Sequence, residues 1–466
     1  MKRREFLRRS LGTFAGLGAC GVAGTLGNLK LLGAAMAAEQ LGKGIPDFKA
    51  LVCIFQYGGN DAFNTIIPRD GATHAVYAAS RGPLALSQTT AAALPLNPAM
   101  APAGGGQYGL HPGMGRLQSL FNGGQAAVVA NIGPLLHPIT RAQYQNESVP
   151  VPPQLFSHDD QQHQWQTAWP DSATGTGWAG RMADAMIDAN ASSQVSMCMS
   201  LAGSNTLQVG NVVQPYFVGA YGLEGLHFME GDWTSAIRRR DTFNAIRQLA
   251  ASPQAHVFER AYAGIMDRAI ENQIAIQAAL DSTPAPAVVF PDNYLGAQLA
   301  MVARMISIRS ALGMQRQIFF VADTGGYDTH DNQLAQHAAL LPNLSDCMGA
   351  FYDATVELGV ANDVTTFTAS DFGRTLSVNG DGTDHGWGSH HFVVGGGVNG
   401  GRFYGTMPSL VNEGPDDAGW GQIIPTTAVD QHAATLARWF GVGDGALADV
   451  LPNIGNFASS DLGFMA

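Results

Sequence analysis

Charged side chains are scarce in this sequence. They make up 13 % of 466 residues, and the 25 Lys and Arg are outnumbered by 37 Asp and Glu. That balance excludes nucleic-acid binding, which needs a basic stripe to meet phosphates. The longest basic run in the body of the chain, Arg238-Arg239-Arg240, reads as a solvated helix face. Cysteine is rarer still. Only four occur, and Cys53, Cys198 and Cys347 each stand alone in apolar surroundings. Such a scattered set excludes a disulfide framework and reads as buried thiols. No linker rich in Pro, Ser or charge divides the chain, and no internal repeat stands out. One domain is expected.

What the chain has in quantity is apolar residues, 46 %, enough for a large packed core. Its first residues are of another kind. "MKRREFLRRSLGTFAGLGACGVAG" sets Arg3-Arg4 ahead of Phe6-Leu7 and a weakly apolar, Gly/Ala-rich run, and "AMA" follows at residues 35–37. A basic start, a weak apolar stretch and small residues at a cleavage point read as an export signal, and the paired arginines as the twin-arginine type. A membrane-spanning helix is disfavoured, because Lys30 and glycines interrupt the run. "LGAC" at residues 17–20 leaves a lipoprotein signal as an alternative. We therefore expect residues 1–37 to be a signal peptide read by the twin-arginine translocase. Residues 38–466 would form the mature protein, delivered to the periplasm or secreted. Removing six basic side chains and one acidic one with the signal takes the net charge from −12 to −17.

Beyond the signal, five short apolar runs are bounded by Gly or polar turn residues: 48–55, 126–132, 317–322, 364–368 and 392–394. They are too continuous to be half-exposed, which is the pattern of strands buried on both faces. Between them, residues 258–280, 294–312, 334–358 and 427–440 carry apolar side chains at helical spacing. Strands alternating with helices predict an α/β fold with a mostly parallel central sheet sandwiched by helices. An irregular insertion around 195–291 is expected to cover one end of the sheet.

The acids and imidazoles cluster just after the strands. Asp61 follows the first, Asp328 and His330 the third, and Asp371 the fourth, while Asp384 and His385 precede the fifth. Sites in open α/β sheets form beyond the carboxyl ends of strands, so these residues can meet although far apart in sequence. Carboxylates with imidazoles suit Zn²⁺ or Mn²⁺, whereas Mg²⁺ or Ca²⁺ wants more oxygen. In "DTH", Asp328 and His330 would diverge on a helix and share a site only from a loop, which "TGGY" supplies. His390 and His391 are adjacent, so in a strand at most one of them points at a site. Taken singly, Asp61 and Asp371 could equally be turn or capping residues. In "LFSHDDQQHQWQTAW", Ser157 is expected to cap a helix. It is the nucleophile candidate, and His158, Asp159 and His163 could equally be ligands.

The motifs "QYGGNDAFNTIIP" (56–68), "SHDDQQHQWQ" (157–166), "TGWAGRMAD" (176–184), "TGGYDTHDNQ" (324–333), "TASDFGRTLSVNGDGTDHGWGSHHFVVGGGVNGG" (368–401) and "IPTTAVDQHAATLARWFGV" (424–442) carry a resemblance. The chain resembles the bacterial exported proteins grouped as domain of unknown function 1501. These look like distant members of the alkaline phosphatase and sulfatase superfamily. The resemblance implies an alkaline phosphatase-like fold and a divalent metal (Zn, Mn, Ca or Mg). Asp61, Asp328, His330, Asp371, Asp384, His385 and His390 would be its candidate ligands. Ser157 would be the nucleophile, with Thr65 in reserve, and Arg374 or Arg181 would clamp the anionic group. Phe372 stands where the superfamily has a histidine ligand, and Asp384-His385 would supply the replacement. The function so implied is hydrolysis of phosphate or sulfate esters, on a small-molecule or glycan substrate. The alternative is a non-catalytic, metal-stabilised envelope protein that binds a glycan or a protein partner.

Overall fold

A computed structural model of the chain describes residues 48–223, 232–253 and 255–466. Residues 1–37, expected to be a signal peptide, lie outside these residues. Nine strands build the central sheet: β1 (Lys49–Gln56), β2 (Ala126–Gly133), β3 (Cys198–Ser200), β4 (Tyr216–Phe217), β5 (Arg316–Asp323), β6 (Val364–Ser370), β7 (Ser389–Val394), β8 (Phe403–Tyr404) and β9 (Thr427–Ala428). Their order is β8-β2-β7-β6-β1-β5-β3-β4, and β9 also pairs with β2. All pairings are parallel except those of β7, which runs antiparallel to both β2 and β6. The fold is therefore α/β with a mostly parallel sheet, as the strand–helix alternation predicts.

Alternation along β1 shows why its run is apolar throughout. Ala50, Val52 and Ile54 enter a core shared with the helices Tyr294–Ser307 and Gln333–Glu357. Leu51, Cys53 and Phe55 enter the core on the other face, with helices Trp178–Ala185 and Val429–Phe440. Successive side chains of a strand point to opposite faces, so a strand covered on both sides has no position left for a polar residue. The three cysteines Cys53, Cys198 and Cys347 are buried free thiols.

The stretch 195–291 supplies β3 and the edge strand β4, then the helices Thr234–Ala251 and Val257–Ser282, which pack on each other. Among the described residues no helix is long and apolar enough to cross a membrane.

Register places the site. Gln56, the last residue of β1, lies level with Asp323 of β5 and Ser370 of β6. Three parallel strands thus end together, and their following loops begin at one edge. Because β7 is antiparallel to β6, the loop leading into it starts from that same edge.

Candidate metal centre

Asp371 is the first residue beyond β6 and is fully buried. Its Oδ2 accepts hydrogen bonds from the Gly58 amide at 3.2 Å, Gln162 Nε2 at 3.1 Å and His158 Nδ1 at 2.6 Å. Its Oδ1 is buried with no partner among the described residues. An unpaired buried carboxylate oxygen is costly unless a cation or water reaches it.

His158 opens the helix His158–Thr167, with Ser157 at the cap position. The ring spans from Asp371 to Asp328, whose Oδ2 lies 3.5 Å from its Nε2. The hydrogen bond to Asp371 raises the pKa of His158 above the usual imidazole range. Partial burial opposes this, and the charges of Asp371 and Asp328 add to it.

Asp328 comes from the loop after β5 and collects the remaining groups on its Oδ1. Arg374 Nη1 stands at 2.5 Å, His330 Nε2 at 3.0 Å and His385 Nε2 at 3.3 Å. Burial pushes the Asp328 carboxyl up, but the Arg374 hydrogen bond and charge, with His330 and His158, outweigh it and hold it below its ordinary value.

The two other imidazoles are aimed in the same way as His158. His385 Nδ1 lies 2.7 Å from the Phe156 carbonyl, which can only accept, so Nδ1 carries the proton and Nε2 the lone pair. His330 Nδ1 lies 3.2 Å from Asp384 Oδ1, and its Nε2 faces that of His385 at 3.0 Å. Burial lowers the pKa of His385, which favours the neutral ring that a metal ion needs. Two nitrogens on one tetrahedral Zn²⁺, each at about 2.0–2.1 Å, lie roughly 3.3 Å apart. His158, Asp328 and His385 offer ligand atoms that are all within 4.8 Å of one another. Each imidazole holds an oxygen acceptor at its outer nitrogen, the arrangement that orients metal-binding histidines. Two imidazole nitrogens and a carboxylate, with His330 beside them, Asp371 and Asp384 behind and only Arg374 opposing, fit a divalent ion of the zinc type.

A closed loop brings Asp371 and His385 together. The Gly373 amide donates to the Trp387 carbonyl at 3.0 Å, Gly386 donates to Gly373 at 2.8 Å and Thr375 to Asp384 at 3.0 Å. Phe372 fills the space beneath, its ring centroid 4.8 Å from that of His158 and 4.6 Å from that of His385. Where a histidine is expected, an apolar wall supports two imidazoles.

Other expected ligands are placed elsewhere. Asp61 is fully buried and caps the short helix Ala62–Thr65, its Oδ1 accepting from the Phe63 amide. Its Oδ2 is bound by Arg81 and Gln333, so neither oxygen is free for an ion. His390 Nδ1 accepts the Asn131 amide at 2.9 Å, and burial pushes its pKa down to about 4. Both belong to the packing behind the site. Arg374, also fully buried, is bound to Asp328, Thr383 and the Gly58 carbonyl. Arg181 spends its donors on the carbonyls of Val450, Thr176 and Thr167. The hydroxyl of Thr65 donates to the Asp61 carbonyl. Ser157 directs its hydroxyl to Asp160 Oδ2 at 2.6 Å.

Two contributors escaped the sequence reading. Arg81 is a lone basic residue, and its partner Asp61 is a loop away, so no local pattern marks it. Gln162 is uncharged, and only its position one turn after His158 points to Asp371.

Residues 48–418 match the family described as protein of unknown function (DUF1501), and the chain belongs to that family. No curated protein matches it. Among solved structures it is similar to Ps i-CgsB in complex with k-i-k-neocarrahexaose. The TM-score is 0.32 at 8 % identity, over 88 % of this chain and 77 % of that one. It is also similar to the PsFucS1 sulfatase from Pseudoalteromonas sp., with TM-score 0.32 and 10 % identity over 90 % of this chain and 72 % of that one.

Proposed function

We propose that the protein is an exported, metal-dependent hydrolase of phosphate or sulfate esters, distantly related to the alkaline phosphatase and sulfatase superfamily. One observation carries the reading. His158, His330 and His385 each have Nδ1 held by an oxygen, and their Nε2 atoms converge on Asp328 at the strand-end edge of the sheet.

A divalent ion held by these residues would polarise an ester oxygen and offset the negative charge that grows on it. The chain's own groups do the rest. Arg374 anchors Asp328, and Asp371 fixes the His158 ring through Nδ1. Ser157 is the proposed nucleophile, and Asp160, already accepting its hydroxyl hydrogen bond, is placed to take the proton. Export is proposed from the paired arginines and the weakly apolar stretch behind them.

The test is purification of the mature chain from the periplasmic fraction, metal analysis, and a panel of phosphate and sulfate monoesters. We expect bound divalent metal and turnover of at least one ester class. His158→Ala should lose both, whereas Ser157→Ala should keep the metal and lose turnover. Absence of the mature chain from the periplasm would remove the exported part of the reading, and a metal-free, equally stable protein would remove the hydrolase. The engagement of Arg374 by Asp328 favours the non-catalytic alternative, since that guanidinium is not free to clamp an anion. Metal-dependent stability without turnover of any ester would decide for it.

A further inference from the structure

Next to the metal cluster lies a small cavity that the hydrolase reading leaves without an occupant. Its volume is about 240 Å³, and its lining includes Tyr57, Asp159, Gln162, His163, Ser204 and Thr206. Two features tie it to the site. Gln162 lines the cavity and also donates to Asp371 at 3.1 Å. Tyr57 precedes Gly58, whose amide binds the same carboxylate oxygen. Positions 159, 162, 163 and 166 follow helical spacing, so the helix that presents His158 to the cluster turns an adjacent face to the cavity.

Resting on that reading, we propose that this cavity binds the sugar ring that bears the ester, and that the substrate is a sulfated or phosphorylated carbohydrate. The lining is polar and mostly uncommitted. The carboxylate of Asp159, the imidazole of His163 and the hydroxyls of Ser204 and Thr206 make no hydrogen bond to another described residue, while Gln166 turns its Oε1 to the amides of Thr206 and Leu207 and its side chain also bonds Tyr57. Together these groups offer both donors and acceptors at short spacing, which is what neighbouring sugar hydroxyls require. Tyr57 contributes an amphipathic ring.

The same chemistry argues against other occupants. An aryl or alkyl group would strip water from these polar side chains and return no hydrogen bonds. A second anionic group would meet Asp159. A polyhydroxylated, uncharged ring satisfies the lining and leaves its ester group toward Asp328 and the imidazoles.

The test uses the mature, metal-loaded chain. Binding of the methyl glycosides of glucose, galactose and mannose is followed by saturation-transfer NMR. Hydrolysis of hexose 6-sulfates and 6-phosphates is compared with that of phenyl sulfate and phenyl phosphate. We expect at least one glycoside to bind. Asp159→Ala and His163→Ala should each weaken that binding about tenfold, the range for a lost hydrogen bond to a charged or polar partner. They should also raise KM for the sugar ester about tenfold more than for the phenyl ester. If no glycoside binds, or if both variants bind it as well as the parent, the cavity is not a sugar site, even where esters are hydrolysed. If glycosides bind and the variants lose them while no ester is turned over, the sugar site stands and the hydrolase reading falls.

Discussion

Asp61 and Asp371 each follow a strand that ends at the same edge of the sheet, yet their neighbours give them different work. Asp371 keeps one oxygen without a partner among the described residues and turns the other to His158, whereas Asp61 is sealed between Arg81 and Gln333. Both members of the Asp61–Arg81 pair have fully buried side chains. Asp61→Ala therefore strands a guanidinium in the interior and should cost about 3–5 kcal/mol of stability, read from denaturant unfolding. The folded fraction should retain the divalent ion proposed for the Asp328 cluster. A variant of normal stability that had lost its metal would make Asp61 a ligand after all.

Among the elements, the loop after β1 does the fitting. Gly58 has φ +113°, and a Cβ there would sit 2.4 Å from the backbone nitrogen of Asp328. Only glycine lets the β1 and β5 loops approach this closely while the Gly58 amide still reaches Asp371. Gly380 offers a control: its φ is +125°, but a Cβ there would meet nothing within 4 Å. Both alanine variants should pay backbone strain of about 1–3 kcal/mol. Gly58→Ala alone should also lose metal, because it displaces Asp328. Equal metal contents in the two variants would separate the close approach from the metal centre. The long strands were legible in the sequence because burial on both faces leaves a continuous apolar run. The strand β3, only three residues long, leaves no such run, and the helix Thr234–Ala251 is largely exposed, with a weak apolar stripe.

Across the whole molecule, several buried imidazoles weaken the fold in acid, and the buried Asp430 carboxyl, which burial pushes up to about 8, offsets them only in part. Burial pushes His337 down to about 4, His390 to about 4 and His432 to about 3. In the unfolded chain each would titrate near its ordinary value of about 6.5. Between those values the unfolded chain binds more protons than the folded one, so stability falls as pH drops. It should be fully present above about pH 6.5 and be lost progressively toward about pH 4. Urea midpoints at pH 7.5, 6.0 and 5.0, with EDTA removing any metal, should decline in that order. A flat profile would mean that these histidines accept protons in the folded state.

Residue order alone determined the alternation of strands and helices, the two-sided burial of the sheet and the strand-end position of most of the chemistry. Those properties come from local apolar periodicity and from the rule that loops after parallel strands begin at one edge. Which acids and imidazoles meet was decided only by the tertiary structure. Asp328 reached His330 and His385 but Asp61 did not, although both follow strands of the same sheet. Register, the Asp384–Thr375 closure and the Phe372 wall chose among them, and each joins residues that nothing nearby in the sequence links. His158 shows the same thing from the other side. Its neighbours mark it as the start of a helix, but it is the carboxylate of Asp371, 213 positions later, that turns its ring toward the centre.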